Sequence, residues 1–156
     1  MKMVEYGKQN KEVVMFLHGG GLSWWNFQEI AEILKEKYHI LIPILDGHSG
    51  SSFPFTTIED NAKKLLAYID ENYNGSIKMI GGLSLGGQIL VEMLTQRNDI
   101  CEYALIESAL VIPMKLTNSL IKPMIDMSYW LIKQRWCAKL QFKELKIKDK
   151  YFDHYY

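Results

Sequence analysis

The chain has 156 residues, enough for one domain with a real hydrophobic core, and its eighteen basic and eighteen acidic side chains cancel to a formal net charge of zero. That balance gives no global attraction to nucleic acid, and no run approaches the roughly eighteen apolar residues of a membrane-spanning helix. Met1 to Glu12 is polar and lacks the apolar centre of a secretory signal, while Cys101 and Cys137 fit no metal spacing and are too few for a disulfide framework, so a cytoplasmic protein with reduced thiols is expected.

Charge is unevenly spread. Residues 1 to 112 carry nine basic and fourteen acidic groups, net −5, whereas residues 113 to 150 carry nine and three, net +6. One reading is docking and mutual solvation of the two parts; the other is attraction of an anionic substrate or lipid surface.

Lys2 to Tyr6 fits a short edge strand. Val13 to Leu17 is an uninterrupted apolar run, hence a buried strand, and it enters the glycine loop His18-Gly19-Gly20-Gly21. Ser23 is the expected N-cap of a helix reaching about Lys37, with Trp25, Ile30, Ile33 and Leu34 on its apolar face. Trp24 or Trp25 could line a pocket behind the loop, although packing on the sheet is the simpler role. His39 to Leu45 reads as the next strand, with Pro43 tolerable only where its missing N–H faces no ladder partner. The loop Asp46-Gly47-His48-Ser49-Gly50-Ser51-Ser52 comes next. Thr57 or Thr56 then caps a helix from Ile58 to Tyr73 with Ala62, Leu65, Leu66 and Ile69 inward, and Asn74-Gly75 ends it in a left-handed cap.

Ile77 to Ile80 is a further strand, and Leu85 to Gln96 has helical periodicity. Between them Gly81-Gly82-Leu83-Ser84-Leu85-Gly86-Gly87 places Ser84 on a strand-to-helix turn, in the pattern G-x-S-x-G. A serine hydroxyl is a weak nucleophile, so it must be exposed to a base and face donors for the developing oxyanion. The N–H of Leu85, at the start of a helix, supplies one such donor. The pattern arises by chance in roughly one chain of this length in twenty, so it needs support. After Asn98-Asp99, Tyr103 to Ser108 is the next strand. Alternating strands and helices require a parallel sheet with right-handed crossovers, and ligands bind beyond the C-terminal strand ends. His18 to Gly21, Asp46 to Ser52, Ser84 and Glu107 all fall at that edge. From Pro113 onward Leu116, Leu120, Ile121, Met124, Ile125, Tyr129, Ile132 and Trp136 recur at helical spacing, with Pro123 opening a second helix.

These motifs together resemble the α/β-hydrolase superfamily, over about residues 11 to 112, in its small single-domain esterases, acyl hydrolases and carbon–carbon bond hydrolases. The H-G-G-G run resembles the loop that provides a second oxyanion donor, here the N–H of Gly20, and the Asp46 loop looks like the family's D-x-x-G-H-G-x-S with one residue fewer. The resemblance implies a mostly parallel sheet flanked by helices, lacking its C-terminal part. Residues 1–112 would form the core, 113–150 a helical cap segment and 151–156 a tail. It further implies a serine hydrolase acting on an ester, thioester or related acyl bond of a small, apolar substrate through an acyl-enzyme at Ser84, with Gly20 and Leu85 as the oxyanion hole and no metal or organic cofactor. His18 and His48 would shape loops rather than act as base.

The acid and histidine that complete such a site normally come after two further strands, and neither strand is visible. Three readings stay open: a fragment of a hydrolase of roughly 220 to 250 residues; a site completed locally by Glu107 as acid and His154 as base; or a non-catalytic ligand-binding or interaction protein that keeps the pocket. If Tyr103 to Ser108 ends the sheet, it leaves an apolar edge that the cap or a second copy must cover, and a homodimer is expected.

Overall fold

Five strands build one sheet: β1 (Lys2–Tyr6), β2 (Val13–Leu17), β3 (His39–Ile44), β4 (Ile77–Leu83) and β5 (Cys101–Glu107). Their order is β1-β3-β2-β4-β5. All pairs are parallel except β1 with β3. Every residue of β2 and β3 is buried, which is why those two strands read as continuous apolar runs rather than alternating ones. Pro43 lies opposite Met3 of β1 and past Leu41, the last β3 residue paired with β2. These features come from a computed structural model that describes residues 1–112, 123, 130–131, 134–144 and 148–155. It divides into two units, Met1–Val111 and Ile112–Tyr156.

Helices cover both faces of the sheet in the first unit. On one face α2 (Ile58–Tyr73) and α3 (Leu85–Gln96) bury Leu65, Ile69, Ile89, Leu90 and Met93 against Met15, Leu17 and Leu41. Ala62, Leu65 and Ile69 form the inward stripe of α2, with Leu66 packed partly against the same cluster. The Thr57 hydroxyl accepts a bond from the Asp60 N–H, and Asn74 takes φ 54°, ψ 32° with its own N–H donating to Ile69 O, so a side chain closes one end of α2 and a left-handed backbone the other.

The opposite face departs from the periodic expectation. Trp24–Phe27 is a 3-10 turn, and the α-helix α1 (Gln28–Leu34) starts only after it. The tighter winding of the turn shifts the phase of α1. Ala31 and half-buried Phe27 and Leu34 face the sheet, while Ile30 and Ile33 are exposed, Ile33 by 71%. Trp25 is buried and Trp24 packs against the same cluster, which matches sheet packing. Ser23 makes no capping bond; its hydroxyl reaches across to Ser49 O at 2.9 Å.

The second unit is described in pieces. The expected cap over residues 113 to 150 lies largely outside the described residues. Arg135–Glu144 is a helix, so the charged stretch beginning at Phe142 is in part helical, and Phe152–Tyr155 is a single turn.

Two packing devices fix the loops at the C-terminal strand ends. The first turn of α3 runs against β2 and β4 at backbone contact. A Cβ on Gly86 would lie 2.8 Å from His18 O and closer still to Leu17 O, and one on Gly82 would lie 2.5 Å from Gly86 O. Only glycine fits at either position. The second device is His18, fully buried, whose Nδ1 donates to Gly19 O at 3.0 Å while Nε2 accepts the Leu45 N–H at 3.2 Å. One donating and one accepting nitrogen define a neutral imidazole. It ties the loop after β2 to the end of β3. Burial, reinforced by nearby His48, holds its pKa down from 6.5 to about 4, against the opposing effect of the Gly19 bond.

Gly86→Ala is expected to destabilise the protein by about 2 kcal/mol or more, since the new methyl meets backbone on both sides, and urea denaturation measures the loss. His18 gives a pH signature. Its folded pKa lies below its unfolded one, so its contribution is complete above about pH 6.5 and falls away toward pH 4, by up to about 3 kcal/mol. The urea midpoint should drop across that window, and drop less in His18→Gln, which has no proton to take up.

Candidate active site

Ser84 stands alone between β4 and α3, at φ 51°, ψ −110°. A non-glycine residue there carries roughly 1–3 kcal/mol of strain, which the tight entry into α3 sustains. The turn exposes Ser84 while Gly82 and Gly86 are buried on either side. Its own N–H donates to Glu107 O at 2.8 Å, and its carbonyl accepts the Gln88 N–H at 2.9 Å as the first bond of α3. The next amide, that of Leu85, is thus among the unpaired donors at a helix start, where the dipole favours negative charge.

The glycine loop after β2 lies directly alongside. A Cβ on Gly19 would sit 3.6 Å from Ser84 Cβ, and one on Gly20 would sit 3.9 Å from Leu85 Cβ. Gly20 is exposed and Gly19 buried. Ser84, Leu85 and Gly20 are therefore neighbours in space, although 64 positions separate Gly20 from Ser84 in the chain.

The loop after β3 is held from three sides. Asp46 is fully buried and pairs with Lys64 of α2. Its N–H donates to Asn61 Oδ1 at 3.3 Å, and Asn61 Nδ2 donates to Thr57 O at 2.9 Å. Ser23 bonds the loop from the opposite side, at Ser49 O. His48 donates from Nδ1 to Asp46 O at 3.0 Å, and its ring meets His18 edge-on at 4.9 Å between centroids. Asp46 Oδ1 is buried with no hydrogen-bond partner among the described residues.

The two residues expected to complete the site stand differently. Glu107 closes β5 opposite Leu83, next to Ser84, with its side chain exposed and its carbonyl on the Ser84 amide. Ser108, just after it, takes φ 53°, a second strained residue at the same sheet edge. His154 belongs to the Phe152–Tyr155 turn of the second unit, and its side chain lies outside the described residues. The remaining imidazole, His39, bonds Glu5 at 2.9 Å at the N-terminal start of β3. All three described imidazoles are thus bonded elsewhere. Among the described residues no group of three His, Cys, Asp or Glu side chains is placed to hold a metal ion. Two open clefts, of about 420 and 550 Å³, border Ser76, and the larger takes in Val13, Ile77 and Glu102 at the starts of parallel strands, the far end from Ser84.

Sequence reasoning missed the Asp46, Lys64 and Asn61 arrangement. A signal was present in Asn61, a polar residue one position before the buried stripe of α2. Nothing local marked Ser23 as a partner of a loop 26 residues away.

The chain matches the alpha/beta hydrolase family over residues 14–152. Over 83 residues it is 36% identical to Lipase 3 of Moraxella sp. (strain TA144), a stretch that makes up 51% of this chain and 26% of that protein. An alpha/beta hydrolase family protein from Desulfitobacterium hafniense superposes with a TM-score of 0.67 at 28% identity, over 80% of this chain and 51% of that one. A thermophilic esterase from Thermogutta terrifontis superposes with a TM-score of 0.77 at 15% identity, which speaks for the fold alone, over 98% of this chain and 58% of the esterase. The chain spans about a quarter of the lipase and little more than half of each structure. With residues 14–152 matched, almost its full length, the chain belongs to the alpha/beta hydrolase family.

Proposed function

We propose that the chain is the nucleophile-bearing part of a serine hydrolase that cleaves an ester, thioester or related acyl bond. The observation that carries this reading is Ser84 itself, exposed at φ 51°, ψ −110° at the start of α3 with the Gly19-Gly20 backbone beside it. In this reading Ser84 Oγ attacks the acyl carbon and loses its proton to a base. The N–H groups of Gly20 and Leu85 take the charge that gathers on the carbonyl oxygen. Collapse breaks the bond to the leaving group, which receives the proton, and water then releases the acid from the acyl-enzyme. Similarity to a lipase supports an acyl substrate, with small size and an apolar acyl part as the finer proposal.

The base is the open element. His18 is committed by both nitrogens, His39 lies at the other end of the sheet, and His48 is bonded to Asp46 O. The proposal therefore calls on His154, with Glu107 as acid, or on a histidine supplied from outside these 156 residues. The same bonded imidazoles favour the second reading, a binding protein that keeps the pocket without turnover.

Labelling with a fluorophosphonate probe, beside hydrolysis of p-nitrophenyl butyrate, separates the two. Covalent labelling that disappears in Ser84→Ala is the expected result. Turnover should be slow, because a missing base costs about 10²–10⁴-fold, and Ser84→Ala should remove what there is. Labelling unchanged by Ser84→Ala overturns the hydrolase reading, and no labelling in a chain whose circular dichroism is intact overturns completion of the site by His154 and Glu107. The open side of β5 carries Tyr103, Leu105 and Ile106 exposed, and we extend the proposal to a second copy of the chain covering it. Light scattering at tens of micromolar should report a dimer, and a monomer would refute that extension.

A further inference from the structure

The basic excess after residue 112 has a place in the structure that the hydrolase reading does not use. Between residues 130 and 155 the sequence holds seven Lys or Arg against three Asp or Glu. The Arg135–Glu144 helix turns one side inward, with Ala138 buried and Cys137 and Gln141 half-buried. Its other side is exposed along the whole length. There Arg135, Lys139 and Lys143 recur every fourth residue, and Trp136 and Leu140 lie next to them, 57% and 56% exposed. Trp130, just before the helix, is 72% exposed. At four-residue spacing these side chains share one stripe.

Large apolar groups and cations seldom share a solvated helix face by accident. A face that is only solvated has little use for Trp136 and Leu140, and three cations beside them suit a partner that is both apolar and anionic. An interface between water and lipid takes both. Aromatic and aliphatic side chains enter the headgroup region, while Lys and Arg stems extend along it to keep their charges among anionic headgroups. Two cations of the stripe also lie over an aromatic ring, with the Arg135 guanidinium 5.6 Å and the Lys139 ammonium 5.9 Å from the Phe152 ring centre. The acidic side chains described in this unit, Glu144 and Asp153, do not reverse the balance; Asp153 meets Arg135 at 3.9 Å in full solvent.

We infer that the exposed face of the Arg135–Glu144 helix is a docking surface for an anionic lipid bilayer. The helix lies in the interface with Trp136 and Leu140 inserted and Arg135, Lys139 and Lys143 on the headgroups. This rests on no assignment at Ser84 and holds whether or not the chain turns over substrate. A nucleic-acid backbone would satisfy the cations and leave the apolar pair in water, so lipid is the better match.

The full chain is tested by cosedimentation with vesicles of phosphatidylcholine alone and of phosphatidylcholine mixed with phosphatidylglycerol. Binding is expected only to the anionic vesicles, weakening as salt rises, with tryptophan emission moving to shorter wavelength. Lys139→Ala with Lys143→Ala should lower the partition coefficient about thirtyfold. Trp136→Ala with Leu140→Ala should lower it about tenfold or more. All four positions are exposed, so the fold is retained and circular dichroism checks it. Equal binding to both vesicle types, or binding to neither, overturns the inference. Undiminished binding of the Trp136→Ala, Leu140→Ala variant also overturns it, by making the face a general polyanion surface.

Discussion

Gly82 and Gly86 allow the first turn of α3 to touch the ends of β2 and β4 through bare backbone, and the site depends on that approach. With a normal clearance the chain would need several residues to pass from β4 into α3, and any serine among them would rest on a relaxed loop. The close approach leaves room for one. Ser84 takes the whole change of direction in a single pair of dihedrals, so its side chain cannot fold back onto the helix as a cap and is left pointing outward. The same contact brings the Gly19-Gly20 backbone beside Ser84 and Leu85. Strain, exposure and proximity of the two amides thus have one cause.

Around that point the polar groups that matter are locked by partners far away in sequence. His18 fastens the loop after β2 to Leu45, Ser23 fastens the start of the next segment to Ser49, and Lys64 and Asn61 fasten Asp46 to α2. Two of these bonds join the loop after β2 to the end of β3 and its loop, and the third ties the loop after β3 to α2. The loops after β2 and β3 are thus braced together and to α2, which suits a site whose amides must stay in place while charge develops between them.

What could be read from the sequence is what local chemistry decides. Thr57 and Asn74 close α2 through bonds within a few residues, and the stripe Ala62, Leu65, Ile69 repeats at helical period, so that helix was legible to the residue. The strand-to-helix turn at Ser84 was legible because the G-x-S-x-G pattern came together with the glycine loop at His18 to Gly21 and the loop at Asp46. The helix after the glycine loop was misjudged because Trp24–Phe27 winds as a 3-10 turn and carries Ile30 and Ile33 out of the core. A periodicity argument assumes constant pitch. The bonds that join loops escaped for another reason: no residue announces a partner 15 to 27 positions away, and Ser23 resembles an ordinary N-cap until Ser49 is seen beside it. The reading in which Glu107 and His154 complete the site rests on a strand-end position and a histidine in the tail, and only Glu107 is described next to Ser84.

The sheet order has a consequence for how the molecule is made. Once β3 has slotted between β1 and β2, β4 adds on the free side of β2 and β5 on the free side of β4, so the sheet widens in one direction as the chain leaves the ribosome. The first edge is finished early by β1, a short strand whose Glu5 is held by Lys8 and His39. The growing edge is always the newest strand, and it stays receptive until something pairs with it. A nascent chain of this topology therefore meets its greatest risk of sticking to a neighbour in the interval between the docking of β5 and the covering of its free edge.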